Sequence, residues 1–309
     1  MFFESLRSGF AHLIRELPRF RGRGSLCAHA NDVFLKLGLE PVVLARMTDD
    51  TIMRLDTRCH TEFLAYYTGQ YDKALLDCVL ALFDHDATFL DIGANVGFYA
   101  VAVAHAVRKT GGRGRVMAFE PFHDNFSRLK ENIELNGLVD LAVLVETALP
   151  NTAGRQLIVL REDFSRGSTT GNASIVIDED FDKDFPAVPI DMDRLDNLWQ
   201  TLDARADKID FVKIDIEGHE DFCLQGAWQT FCEHRPTLLM EVNKPYYRAR
   251  GVCVNDVLTA NIPPEYVFYR NLADRWTTIR NFDECNPVDN VLLIPREKIL
   301  MDKYRKFTG

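Results

Sequence analysis

Thr88-Phe89-Leu90-Asp91-Ile92-Gly93-Ala94-Asn95-Val96-Gly97 is the stretch around which the rest of the chain can be placed. A short apolar run (Phe89, Leu90, Ile92) gives way to small and polar residues. Phe98-Tyr99-Ala100-Val101-Ala102-Val103-Ala104 then opens a pattern long enough for a helix. The order reads as strand, tight turn, helix. Gly93 and Gly97 permit positive φ in the turn and let a ligand approach the backbone. Asp91 closes the strand with a carboxylate, and the following helix start offers free N–H groups.

Two ligand classes use such a loop. A dinucleotide site wants Gly-x-Gly-x-x-Gly, so that pyrophosphate rests on bare N–H groups. Here the pattern is Asp-x-Gly-x-Asn-x-Gly, with Asn95 two residues after Gly93. The Asp91 carboxylate repels a pyrophosphate but suits a cationic ligand with an amino-acid head. S-adenosylmethionine carries an ammonium, a carboxylate and a sulfonium, so Asp91 can meet the ammonium and the loop amides the carboxylate. A strand–helix turn without any ligand is the plainer alternative.

Composition narrows the field. The 309 residues suffice for one large α/β domain with an extension, or for two small domains, and the 47% hydrophobic content supplies a sizeable core. A net charge of −10 argues against a general nucleic-acid binder, which needs a basic face. The seven cysteines (27, 59, 78, 223, 232, 253, 285) form no Cys-x-x-Cys and are odd in number. Neither a zinc site nor a disulfide framework is indicated, and reduced thiols in the cytoplasm are the simplest reading. No apolar run reaches membrane-spanning length, and the N-terminus lacks the form of a secretory signal.

Working outward, residues 1–87 read as an N-terminal helical extension, and residues 88–300 as the main domain. Phe2, Phe3, Leu6, Phe10, Leu13, Ile14 and Leu17 mark an amphipathic helix, followed by Arg19-Phe20-Arg21-Gly22-Arg23. Those arginines suit either an anionic surface or simple solvation. The aromatic cluster Tyr66-Tyr67…Tyr71 can lid a pocket or pack on the sheet edge. Asp72–Phe83 has helical apolar spacing. Downstream, Arg115–Phe119 is a second strand ending at Glu120-Pro121. A carboxylate there lies beside the first loop and can accept both hydroxyls of a ribose. Asn125–Leu135 is a helix, and Leu141–Val145 a third strand, after which Glu146 can receive an adenine amine or sit on the surface.

From about residue 151 to 189 the helix–strand rhythm stops. Arg155–Leu160 and Ala173–Ile177 alternate weakly around the polar Asp163–Asn172, which predicts an antiparallel hairpin insertion with a flexible tip and makes it a candidate substrate lid. Ile190–Leu202 returns to a helical pattern. Ile209–Glu217 then reads as a strand with Lys213, Asp215 and Glu217 on one face and Ile214 and Ile216 on the other. Burying three charges without a task costs several kcal/mol each unless they pair. They sit toward the strand's C-terminal end, where open α/β sheets bind ligands. Glu220–Phe231 is the next helix, and Pro236–Asn243 a strand ending in Glu241 and Asn243. Tyr266–Tyr269 and Asn290–Pro295 are the last two strands.

Taken in order, these pieces resemble the FkbM-type family of S-adenosylmethionine-dependent methyltransferases. The resemblance rests on Phe89–Gly97, on Ala118-Phe119-Glu120-Pro121 with Asn132-Ile133-Glu134-Leu135-Asn136, on Leu195-Asp196-Asn197-Leu198, on Lys213–Glu220 and on Leu239-Met240-Glu241. It implies the class I methyltransferase fold, a Rossmann-like α/β architecture with a mostly parallel seven-stranded sheet and helices on both faces. It also implies methylation of a hydroxyl, often on a sugar, a glycoconjugate or a natural product. By motif match Asp91, Gly93, Asn95, Gly97 and Glu120, with the flanking Phe98 and Pro121, would hold S-adenosylmethionine. Asp215 would lie beside the methyl group, with Lys213, Glu217 and Glu241 around the acceptor.

Methyl transfer aligns acceptor oxygen, methyl carbon and sulfur in line and removes the hydroxyl proton as the bond forms. His219 stands where the family pattern often has a small or aromatic residue, and its ordinary pKa suits proton transfer near neutrality. The general base stays open among His219, Asp215 and Glu217. A divalent ion bridging Asp215, Glu217 and an acceptor diol is a further possibility, although no metal-ligand spacing calls for one. A nucleotide-linked oxidoreductase is the rival enzyme, disfavoured by Asn95 and the missing third glycine. A catalytically silent cofactor-binding module is the rival outside enzymes.

Overall fold

A computed structural model describes residues 2–18, 20–160, 164, 167–171, 173–176, 182–202, 208–272 and 275–308. The first third contains helices α1 (Phe2–Glu16), α2 (Arg23–Lys36), α3 (His60–Thr68) and α4 (Lys73–Leu82). Between α2 and α3 lies a hairpin of β1 (Val42–Arg46) and β2 (Ile52–Asp56), which the sequence pattern of that stretch does not announce. Asn132 and Asn136 tie β2 to the rest of the fold. Their side-chain oxygens accept from the backbone N–H groups of Arg54 (2.7 Å) and Ile52 (2.8 Å).

The main sheet begins with β3 (Thr88–Ile92), whose five residues are all buried. Helix α5 (Phe98–Thr110), β4 (Arg115–Phe119), α6 (His123–Leu135) and β5 (Ala142–Val145) follow. After an insertion come β9 (Ile209–Ile214), β10 (Thr237–Asn243), β11 (Tyr266–Asn271), β12 (Trp276–Ile279) and β13 (Val288–Pro295). The spatial order is β12-β11-β13-β10-β9-β3-β4-β5. β5, β4, β3, β9 and β10 pair in parallel, β13 runs antiparallel to its neighbours β10 and β11, and β12 runs antiparallel to β11.

Eight strands stand where seven are expected. The additional one is β12, which folds back on β11 as an edge hairpin with Phe268 opposite Ile279 and Asn271 opposite Trp276. The central strands alternate between two apolar layers. Phe89, Val116, Phe211 and Leu239 belong to the layer under α5, while Leu90, Met117, Val212 and Leu238 belong to the opposite one. Strands covered on both faces read as nearly continuous apolar runs.

The insertion is a second, three-stranded sheet in the order β7-β6-β8, formed by β6 (Gly154–Leu160), β7 (Ala173–Ile175) and β8 (Ala187–Met192). Within the expected tip, residues 163, 165, 166 and 172 lie outside the described residues, as does residue 177 of the second arm. Two expected helices differ from the pattern. Ile190–Met192 belongs to β8, because Ile190 and Met192 pair with Gln156 and Gly154, and only Leu195–Leu198 is helical. The helix expected over Glu220–Phe231 is broken at Ala227 into Glu220–Gly226 and Trp228–His234. At Gly226 an added Cβ would strike the Pro150 carbonyl, so the insertion's first turn sits directly against that break.

Candidate active site

The winding order of the parallel strands reverses between β3 and β9. From β3 the chain moves outward through β4 and β5, then crosses back to β9 and moves the other way to β10. At such a switch point two adjacent strand ends diverge and leave a crevice. A cavity of about 260 Å³ opens there.

The first wall is the Gly93–Gly97 loop. The N–H groups of Gly93 and Ala94 both donate to the Phe119 carbonyl at 3.0 Å, folding the loop back over β4. Gly93, Asn95 and Gly97 all have positive φ (77°, 50° and 95°). Glycine is required at the ends for two different reasons. A Cβ on Gly93 would collide with the Asp215 carbonyl oxygen, and one on Gly97 with the Leu129 side chain of α6. Gly93, Asn95 and Phe98 line the cavity, whereas Gly97 lies outside its wall and serves the loop–α6 contact. Asn132, reaching from α6, donates to the Val96 carbonyl at 2.8 Å and so fastens the loop to the same side chain that holds β2.

Glu120 and Pro121 line the cavity at the end of β4. Glu120 accepts from the Asn95 N–H (2.8 Å) through one oxygen and from the Phe122 N–H (3.0 Å) through the other. Burial pushes its pKa up to about 7 in spite of these donors. A carboxylate oxygen has two lone pairs, so each oxygen retains accepting capacity toward the cavity. Glu146 sits apart from the wall. It is exposed and bonds His123, itself exposed, at 2.8 Å. The neighbouring Thr147, Ala148, Leu149 and Pro150 line the cavity instead.

Asp91 is fully buried behind the wall. Neither of its oxygens has a hydrogen-bond partner within reach, and the Lys213 ammonium lies 3.7 Å away. The two residues are register partners on adjacent strands, which places them on one face of the sheet. Lys213 also stands 3.4 Å from Asp215, donates to the Gly93 carbonyl at 3.2 Å and lies 5.1 Å from the centre of the Tyr99 ring. Burial works against its charge, but Asp215 and Asp91 outweigh burial and hold its pKa above the ordinary lysine value. Burial likewise raises Asp91, with Lys213 pulling the other way.

The expected strand ladder of Lys213, Asp215 and Glu217 is not a ladder. β9 ends at Ile214, and Glu217 and Gly218 turn through positive φ (57° and 88°). Glu220 holds this turn by accepting the N–H groups of Ile216 (3.3 Å) and Gly218 (3.1 Å) and the Tyr247 hydroxyl (2.5 Å). The turn, not strand alternation, brings Glu217 round. Asp215, Glu217 and Glu241 converge, each offering a carboxylate oxygen within 4.8 Å of the others. Burial, then Asp215 and Glu217, push the Glu241 pKa well above the ordinary carboxylate range. His219 is 4% exposed and lines both this cavity and a neighbouring groove that contains Gln156, Phe222 and Arg250.

Several wall residues were not singled out from the sequence. Of the aromatic cluster only Tyr71 reaches the cavity, stacked on Phe98 at 4.1 Å, while Tyr67 is buried in the core. Glu62 of α3 lines the wall, accepts from the Thr170 hydroxyl (2.5 Å) and the Asp56 N–H (2.7 Å), and is pushed up to about 7 by burial. Asn125 clasps Gly171 with two hydrogen bonds (3.0 and 3.1 Å). Ile158, Gly171 and Ser174 bring the insertion to the cavity as a third wall. A glutamate inside an aromatic helical segment was the one available signal for Glu62; the Asn125–Gly171 clasp had none.

The model of the methyltransferase FkbM domain matches residues 91–278. Among solved structures, the chain is similar to the methyltransferase FkbM of Methylobacillus flagellatus KT, with 18% identity, 76% of this chain and 52% of that chain covered, and a TM-score of 0.41. It thus spans about half the length of that protein. A putative rRNA methylase of Clostridium thermocellum shows 11% identity, 72% and 93% coverage and a TM-score of 0.43. M. jannaschii TYW2, solved in complex with AdoMet, shows 11% identity, 83% and 85% coverage and a TM-score of 0.37. No curated protein matches the chain.

Proposed function

The chain belongs to the FkbM methyltransferase family, and from that premise we propose that it transfers a methyl group from S-adenosylmethionine to a hydroxyl of a sugar, glycoconjugate or natural product. The observation that carries this reading is the meeting, at one switch-point cavity, of a glycine loop, a ribose-competent glutamate and a cluster of carboxylates.

The residues present fit the cofactor. Gly93, Asn95 and Phe98 line the cavity. The N–H groups of Gly93, Ala94 and Asn95 are spent on Phe119 and Glu120, so the first-turn amides of α5 are the ones that suit the amino-acid carboxylate. Glu120 suits the two ribose hydroxyls. When bound, S-adenosylmethionine supplies an electrophilic methyl group on a positively charged sulfur. The excess of carboxylates over the single lysine favours that positive charge electrostatically. Asp91 acts from behind the wall, holding Lys213 against the Gly93 carbonyl rather than touching the ligand. Thr147–Pro150 forms the surface available to the adenine, with Glu146 outside it.

On the acceptor side Asp215 orients the hydroxyl. His219 or Glu217 takes its proton as the oxygen–carbon bond forms and the carbon–sulfur bond breaks. Glu241, whose pKa burial and then Asp215 and Glu217 raise, faces the acceptor beside them. A second reading, a divalent ion held by Asp215, Glu217 and Glu241, is favoured by their convergence within 4.8 Å. Turnover that survives a strong chelator removes it.

Calorimetric titration with S-adenosylmethionine and with NAD, alongside Asp91→Ala, tests the class. Binding of the methyl donor, lost in the variant, supports it, and a screen of hydroxylated acceptors follows. Binding of NAD alone overturns it in favour of a dehydrogenase, and methyl-donor binding without turnover on any acceptor leaves a silent module.

A further inference from the structure

Beside the switch-point cavity runs a groove of about 470 Å³. The two spaces adjoin at Pro150, Ile175 and His219, which line both. The insertion's sheet extends under both as well. Ile158 pairs with Ile175 across β6 and β7, while Met192 of β8 pairs with Gly154, two positions from Gln156 on β6. Side chains alternate faces along a strand, so Gln156, Ile158, Ile175 and Met192 share one face of this sheet. Ile158 lies at the cavity end of that face, and Gln156 and Met192 at the groove end. Two residues of strand separate Ile158 from Gln156, about 7 Å. An acceptor whose reacting hydroxyl meets the carboxylate cluster therefore has room for a further ring past His219.

The lining says what kind of ring. Its charged side chain is Arg250, and that charge is already met. Two guanidinium nitrogens donate to the two Asp221 oxygens at 2.7 and 2.8 Å, and one of them also donates to the Gly218 carbonyl. The guanidinium carbon lies 4.4 Å from the centre of the Phe222 ring, itself part of the groove. A polyanion needs unpaired cations along its track, and the described residues of this groove offer no such lysine or arginine. A wholly apolar occupant fits no better. The exposed side chains of Gln156 and Thr152 make no hydrogen bond among the described residues. Asn151 donates to Gln225 at 2.8 Å and keeps its carbonyl oxygen for another partner. Covering these three groups with hydrocarbon removes their water without replacing it. Met192, Val176 and Val252 supply an apolar remainder. An uncharged ring with hydroxyls on its edge and C–H groups on its face satisfies both kinds of lining.

We infer that the groove is a second acceptor subsite, which takes an uncharged, hydroxyl-bearing ring next to the one that is methylated, and that Gln156 sets a preference for such an extended acceptor. The acceptor is then a neutral oligosaccharide and not a lone sugar. This inference rests on the methyl-transfer reading.

Protein saturated with S-adenosylhomocysteine, applied to an array of neutral mono-, di- and trisaccharides and their sulfated counterparts, tests it. Di- or trisaccharides should be retained about tenfold or more above their component single sugars. Gln156→Trp fills the groove from an exposed position that the fold does not depend on. It should bring oligosaccharide retention down to the single-sugar level, while calorimetric affinity for S-adenosylmethionine stays within about twofold. Gln156→Ala should give a smaller loss in the same direction. Equal retention of single sugars and oligosaccharides overturns the inference, as does stronger retention of the sulfated set or a Gln156→Trp variant that binds like the unsubstituted protein. Weaker S-adenosylmethionine binding by Gln156→Trp overturns it too, because the groove then belongs to the adenine end of the cofactor. If no sugar is retained by a protein that binds S-adenosylmethionine, the subsite falls and the methyl-donor class stands; if the cofactor does not bind, both fall.

Discussion

The two halves of the cavity are built by different means. On the side of β3 and β4 the wall is backbone: a loop with three residues at positive φ, two amides bonded to one carbonyl, and a glutamate anchored by two N–H groups. On the side of β9 and β10 it is charge: Lys213, Asp215, Glu217 and Glu241, brought together from two strand ends and a left-handed turn. The backbone half leaves little freedom, because each glycine is fixed by a steric contact. The charged half has one such contact, Gly218 against the Tyr246 side chain, and the arrangement of its carboxylates depends on the balance of several ionised groups. Substitutions in the first should therefore act on binding and folding together, and those in the second on turnover.

Gly93→Ala should have the largest effect. The added methyl meets the Asp215 carbonyl, and the residue is already at φ 77°, so neither partner yields without moving a strand end. A loss of about 2 kcal/mol or more in unfolding free energy is expected, together with loss of measurable cofactor binding. Chemical denaturation and calorimetry read the two. A variant that binds normally would mean that the backbone half is softer than its contacts indicate.

Asp215→Asn should separate the halves most clearly. It removes a charge beside Lys213 but keeps the shape, so cofactor affinity should change by no more than a few-fold while turnover falls roughly 10²–10⁴-fold. His219→Ala under saturating cofactor belongs to the same measurement. Near-wild-type rates in both would remove the acceptor-side assignment.

How much of this was legible beforehand follows the same division. The β3 loop, Glu120 and the order of the parallel strands are written in contiguous stretches, because strand–turn–helix geometry constrains neighbours in sequence. Glu62 meets Thr170, and Asn125 meets Gly171, across more than forty positions of sequence, and no local pattern encodes that. Glu217 was assigned to the right neighbourhood for the wrong reason. Period-two alternation placed it beside Asp215, whereas a turn held by Glu220 does so. The edge strand β12 was missed because four residues with mixed polarity carry little strand signal.

pH should move stability and cofactor affinity in opposite directions. Glu62, Glu120 and Glu220 are each pushed up to about 7 by burial from an ordinary value of 4.5. Between those values the folded state keeps protons that the unfolded chain has released, so stability declines as pH rises through the window. The thermal midpoint should drop from pH 5 to pH 7.5, and Glu62→Gln should flatten the drop. Cofactor affinity should instead rise as pH passes about 7, where Glu120 ionises and can accept both ribose hydroxyls. A flat affinity profile would separate Glu120 from the ribose.

The smallest effect is expected at Glu146. Its side chain is exposed and paired with an exposed histidine, outside the cavity wall that Thr147–Pro150 form. An exposed pair of this kind contributes little, so Glu146→Ala should change cofactor affinity by less than about twofold, within the range set by ~0.4 kcal/mol. That result would leave the adenine against the backbone and apolar surface of Thr147–Pro150, extending the backbone-built half across a third strand end. A tenfold loss would instead mean that the loop after β5 reshapes around the ligand, and that a charged side chain belongs to the half of the cavity otherwise made from backbone.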